Sequence, residues 1–109
     1  MKNTPMELTV QELNTLLKTP HKIFVLDVRQ DWEVDIARLQ GSVHIPLDSI
    51  ADHLSDLPPY PEAFVVMCHH GVRSLKVTTW LRERGYQAIN LKGGIDAWTK
   101  EIDPEIPRY

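Results

Sequence analysis

Two short blocks govern what this chain can fold into: IFVLDV, residues 23 to 28, and AFVVMC, residues 63 to 68. Both are almost wholly apolar and rich in β-branched side chains, with none of the alternation that marks a strand wetted on one face. Such strands have to be covered above and below, which calls for helices on either side of a sheet. The rest of the chain provides segments of that kind. Apolar blocks alternate with polar, helix-like stretches and no tight hairpin signal joins neighbouring strands, so the expected sheet is parallel with right-handed crossovers. IFVLDV is expected to be central in it.

In MELTVQELNTLLK, Thr9 stands three residues before Glu12, the spacing of a capping box, and Val10, Leu13, Leu16 and Leu17 form one stripe. The pattern predicts a short strand at residues 6 to 8 and a helix from Val10 to Lys18. QDWEVDIARL reads as helix, Val43 to Ile45 as a short strand stopped by Pro46, and LDSIADHLSDL as another helix. After the PPYPE loop and AFVVMC comes SLKVTTWLRERG, a helix with Val77, Trp80 and Leu81 on one face and Gly85 at its end. QAINL is a strand, GG a tight turn and IDAWTKEI a short helix. The prolines of DPEIPRY predict an extended stretch packed on, or trailing along, the surface.

A chain of 109 residues has room for one core, so residues 1 to 109 are expected to form one domain with a single site. The net charge of −3, without clustered Lys and Arg, argues against a nucleic-acid partner. No apolar run approaches the ~20 residues that span a bilayer, and MKNTPMELTV has no secretory apolar region. No membrane partner is expected, and the default location is the cytoplasm. A single cysteine leaves no internal disulfide and no CxxC pair.

That cysteine, Cys68, ends AFVVMC, and ligands of parallel α/β sheets collect at the carboxyl ends of strands. Between it and a helix expected to start near Ser74 lie His69, His70, Gly71, Val72 and Arg73. This segment is short enough to curl its N–H groups toward one point, where helix dipole and backbone donors together hold an anion. Gly71 permits the positive φ such a curl needs. A cysteine so placed favours its thiolate, a ready nucleophile. Arg73 offers a fork of donors suited to an oxyanion, or turns away to brace the loop against a carboxylate such as Asp27. Free cysteine is also among the most buried residue types, but the Gly-Arg loop weighs against a merely structural Cys68. A zinc site from Cys68, His69 and His70 is disfavoured, because consecutive residues seldom converge on one ion. Neither metal nor cofactor is expected.

Three stretches in order, LDVRQDWEVDIARLQGSVHIPL, CHHGVRS and LKGGIDAW, resemble the opening signature, the active-site loop and the closing signature of the single-domain rhodanese (thiosulfate sulfurtransferase-like) family. The resemblance implies a three-layer α/β/α fold with a five-stranded parallel sheet and a catalytic Cys68 that cycles between thiol and persulfide. The backbone N–H groups of His69, His70, Gly71, Val72 and Arg73 would hold that persulfide. Four residues separate Cys68 from Arg73, as in active rhodaneses, whereas the related phosphatases have five. Asp27 and Arg29 match the family's Asp-Val-Arg and are expected to form a buried ion-pair network supporting the loop, the alternative being direct contact with substrate; Ser74 is expected to support the loop as well. ARLQGS stands where the family often has a His-Ile-Pro-Gly-Ala segment, which makes Arg38 a candidate anion contact or loop brace. His44 and Trp98 are expected to be structural, and Trp32 and Trp80 packing residues. Implied partners are a small sulfur-donor anion such as thiosulfate and, because WTKEIDPEIPRY resembles modules attached to adenylyltransferases that serve ubiquitin-like carriers, a sulfur-carrier protein. The remaining alternatives are a non-catalytic recognition module and a phosphatase.

Overall fold

The structure, a computed structural model, describes residues 4–109; the first three residues of the stretch read for a secretory signal lie outside it. Five parallel strands lie in the order β1-β5-β4-β2-β3: β1 (Glu7–Leu8), β2 (Val25–Asp27), β3 (Val43–His44), β4 (Ala63–Met67) and β5 (Gln87–Leu91). Helices α1 (Val10–Leu17), α2 (Asp31–Ile36) and α3 (Val72–Glu83) make crossovers, two short 3-10 helices, Leu47–Asp52 and Leu54–Asp56, join β3 to β4, and α4 (Gly94–Glu101) follows the last strand. Among the described residues no helix is long and apolar enough to cross a membrane.

Alternation along β4 divides the core between the two faces of the sheet. Val65 and Met67 point to a cluster with Val10 and Leu13 of α1 and Ile95 and Trp98 of α4. Phe64, Val66 and the following Cys68 point to a second cluster with Val77 and Leu81 of α3 and Ile50 and Leu57 of the 3-10 region. Phe64 and Leu81 are fully buried, and each such side chain contributes roughly 1.5–3 kcal/mol relative to exposure. The apolar blocks are therefore covered on both faces, as their composition requires. The capping box of α1 is also present: the Glu12 amide donates to Thr9 Oγ1 at 3.1 Å and the Thr9 amide to Glu12 Oε1 at 2.8 Å.

Several expectations need correction. β4, not β2, holds the centre of the sheet; β2 lies one place in from the edge strand β3, since burial on both faces demands only cover, not the middle position. LDSIADHLSDL forms 3-10 turns, closed by bonds such as the His53 amide to the Ile50 carbonyl, because Leu47, Ile50, Leu54 and Leu57 are spaced to suit either helix. Helix α3 starts at Val72, two residues before Ser74, because Gly71, in a left-handed conformation with φ 98°, is already its N-cap. Trp32 is exposed and touches Tyr109 edge-on, so it is no core residue. The closing DPEIPRY stretch is packed: Ile106 and Tyr109 lie against the first cluster.

Candidate active site

Cys68 follows β4 directly and is 1% exposed. The Gly71 amide donates to its Sγ at 3.1 Å and the Ser74 amide at 3.3 Å, so the turn and the first turn of α3 aim two backbone donors at one sulfur. Ser74 Oγ lies 3.2 Å from Sγ and 2.5 Å from Asn90 Oδ1. A hydroxyl has one proton, and the Asn90 amide, donating to Glu7 Oε2 and to the Gly71 carbonyl, fixes its own oxygen toward Ser74. With a neutral thiol the Ser74 proton belongs to Asn90 and the oxygen can accept from S–H. With an anionic sulfur the hydroxyl can rotate to donate to it.

The loop's other side is held by the second helix N-terminus. The Ile95 amide donates to the Cys68 carbonyl at 2.9 Å and the Asp96 amide to the His69 carbonyl at 3.0 Å. In trans peptides the N–H opposes the C=O, so this grip turns the His69 and His70 N–H groups away from α4. Close approach requires glycine twice. A Cβ on Gly71 would meet the Gly93 amide at 3.1 Å, and one on Gly94 would meet the His69 and Cys68 carbonyl oxygens at 2.4 and 2.5 Å.

Arg73 does brace the loop, against Glu33 rather than Asp27. Its Nη1 and Nη2 donate to Glu33 Oε1 and Oε2 at 2.6 and 2.8 Å in a bidentate pair. Glu33 also accepts from the Gln30 amide and from the Tyr109 hydroxyl, filling its lone-pair sites. The Arg73 fork holds the Glu33 carboxyl well below the ordinary range, at about 2. Stability linked to that carboxylate is present above its unfolded value near 4.5 and is lost as the pH falls from there toward 2. Denaturant titrations between about pH 5 and pH 2 are expected to give a falling unfolding free energy whose slope is reduced in Glu33→Gln; equal slopes would contradict the assignment.

Asp27 and Arg29 form the expected buried pair. Both side chains are fully buried, with Arg29 Nη2 2.7 Å from Asp27 Oδ2 and Nε 3.0 Å from Oδ1. The remaining Arg29 donors reach the Glu33 and Ala37 carbonyls and the Tyr109 hydroxyl. His44 Nε2 is 2.7 Å from the Arg29 carbonyl and Trp98 is buried in the core, so both are structural as expected. Arg38 is exposed and makes no hydrogen bond or ion pair within the described residues; it is not a brace in this structure. Val72, the first residue of α3, is exposed beside the loop.

His69 is partly buried and stacks flat on Tyr109, with ring centroids 3.9 Å apart at 8°; its other neighbour is His70 at 3.8 Å. Burial, reinforced by His70, lowers the His69 pKa and favours its neutral form. His70 is exposed, with Nε2 3.7 Å from Asp96 Oδ2. His69, His70 and Asp96 have the spacing of a metal cluster, but Asp96 also faces Arg108 at 3.1 Å and Lys100 at 3.5 Å. Against the opposing effect of burial, these cations keep its pKa below the usual value, and they would compete with any metal for its oxygens. Glu33, Asn90, Asp96 and Tyr109 are the site residues that sequence reasoning missed.

The rhodanese-like domain model matches residues 9–101. The chain belongs to the rhodanese-like domain family. A crystal structure of a rhodanese-like domain protein from Staphylococcus aureus superposes with a TM-score of 0.83 at 31% identity, over 94% of this chain and 97% of that one. YtwF of Bacillus subtilis, which carries a sulfurtransferase name, is 30% identical over 91% of this chain and 95% of its own length. The adenylyltransferase and sulfurtransferase MOCS3 of Danio rerio is 35% identical over 93% of this chain, which spans 27% of that longer protein.

Proposed function

We propose that this rhodanese-like chain is a sulfurtransferase in which Cys68 carries the sulfur as a persulfide. The observation that carries the reading is the Cys68 sulfur at the end of the central strand, met by the Gly71 amide, the Ser74 amide and the Ser74 hydroxyl. These donors suit an anionic sulfur, and the sulfurtransferase names of relatives supply the reaction class. The Cys68 thiolate attacks the sulfane sulfur of the donor; a bond forms between the two sulfurs while the donor bond breaks and its electron pair leaves with the donor, as sulfite when the donor is thiosulfate. A nucleophilic acceptor then attacks the outer sulfur, and the electron pair of the persulfide bond returns to Cys68. Neither step needs a metal or an external electron source. The family match over residues 9–101 supports reading the chain as one such domain.

A second reading, in which donor or acceptor is another protein, is favoured by a separate observation. Both outer nitrogens of Arg73 are taken by Glu33, so the cation nearest the loop is neutralised and poorly placed to attract a small dianion. Intact-mass spectrometry decides the main reading: after incubation with thiosulfate or polysulfide the protein is expected to gain the mass of one sulfur, removable by cyanide. An unchanged mass with both donors overturns it. Loading by polysulfide but not by thiosulfate selects the second reading over a thiosulfate enzyme.

A further inference from the structure

We propose that Tyr109 is a positioning residue for the Cys68 loop. Its hydroxyl donates to Glu33 Oε2 at 2.8 Å and accepts from Arg29 Nη1 at 2.8 Å, so one oxygen joins the two ion pairs that flank the site, Asp27–Arg29 and Glu33–Arg73. Asp27 engages Nε and Nη2 of Arg29 and leaves Nη1 to Tyr109 and the Glu33 carbonyl. The pair with Glu33 in turn fixes Arg73, on the first turn of the helix whose amides face the sulfur. Removing the hydroxyl leaves only the bond from Arg29 Nη1 to the Glu33 carbonyl, at 3.3 Å, to link the Arg29 anchor with the Arg73 brace.

The ring acts on the same loop from another side. His69 follows Cys68 directly, and its Nε2 is buried with no hydrogen-bond partner. The flat stack on Tyr109 is therefore the contact that orients this side chain, with His70 on the loop itself as its other ring neighbour. Arg108, beside Tyr109, ties the same stretch to Asp96 at 3.1 Å, and the Asp96 amide holds the His69 carbonyl. One segment thus fixes both the backbone and the side chain of the residue next to the nucleophile.

The kinetic arm of the test rests on the sulfur-transfer reading; the chemical arm does not. Full-length Tyr109→Phe keeps the ring and removes both hydroxyl bonds, and Tyr109→Leu removes the stack as well. Because phenylalanine still covers the loop, access to Cys68 is unchanged, and a looser loop should hold the sulfur less firmly against the Gly71 and Ser74 donors that a reacting anion needs. Alkylation of Cys68 by iodoacetamide at neutral pH is expected to slow about threefold in Tyr109→Phe. With wild-type turnover of thiosulfate or polysulfide, kcat is expected to fall about tenfold with KM little changed, and Tyr109→Leu to fall further. A Tyr109→Phe protein alkylated at the wild-type rate overturns the assignment, as does one with unchanged kcat or one whose losses only follow a lowered melting temperature. Absence of turnover in the wild type counts against the sulfur-transfer reading alone, and the alkylation comparison then decides the role of Tyr109.

Discussion

Cys68→Ser is expected to take up no sulfur from thiosulfate or polysulfide while remaining folded. The two halves of that result have separate physical grounds. Chemically, the substitution removes the only cysteine, and a serine hydroxyl at neutral pH is neither ionised nor able to hold a sulfane sulfur. The neighbouring donors cannot compensate, because the Gly71 and Ser74 amides stabilise an anion that serine does not provide. Structurally, the exchange is small. Cys68 packs in a cluster with Leu26, Val28 and Val66, so a polar oxygen is less at home there than sulfur. The same amides and the Ser74 hydroxyl can nevertheless bond it, which limits the loss to about 1–2 kcal/mol. Intact mass after donor treatment, together with a denaturation curve, checks both halves. A folded Cys68→Ser protein that still gained one sulfur would place the carrier elsewhere in the chain and end the persulfide assignment.

How much of this site was legible in the sequence depends on distance along the chain. Cys68, Gly71 and Ser74 are within six residues of one another at a strand end, and the loop could be read from that spacing alone. The Asp27–Arg29 pair was expected from its likeness to the family's Asp-Val-Arg, not from spacing, and the fold places both side chains buried and paired. The partner of Arg73 was not: Glu33 lies 40 residues away within DWEVDI, where its charge looks like that of any solvated helix face, yet its side chain is 4% exposed. Asp27 looked an equally good partner until the fold showed it saturated by Arg29. Asn90 sits in the apolar QAINL strand, where an amide carries no local sign of its bond to Ser74. Tyr109 meets Arg29 and Glu33 across 80 and 76 residues, in a stretch whose prolines predict only extension. Apolar pattern reports burial against a sheet, whereas these polar partners are chosen by topology, which sets neighbours that pattern does not encode.

The largest structural effect is expected from one methyl group, at Gly94→Ala. Gly94 opens α4 at φ 61°, and a Cβ there would lie 2.4 Å from the His69 oxygen, 2.5 Å from the Cys68 oxygen and 2.6 Å from the His69 carbonyl carbon. All three are backbone atoms, so no side chain can swing aside. Relief requires α4 to withdraw from the loop, and withdrawal surrenders the bonds from the Ile95 amide to Cys68 and from the Asp96 amide to His69. Those bonds hold the loop from the side opposite the sulfur, so their loss lets Cys68 drift from the Gly71 and Ser74 donors. Gly85→Ala separates this clash from backbone strain, because Gly85 has φ 90° but open space where the methyl would stand. Strain alone should cost Gly85→Ala about 1 kcal/mol and leave sulfur loading intact. Gly94→Ala should lose on the order of 3 kcal/mol or more and load sulfur poorly even where it remains folded. Unfolding free energies and sulfur mass gain, measured side by side, test the difference. If the two variants behave alike, α4 yields without disturbing the loop, and its N-terminus is not what holds the Cys68 and His69 carbonyls in place.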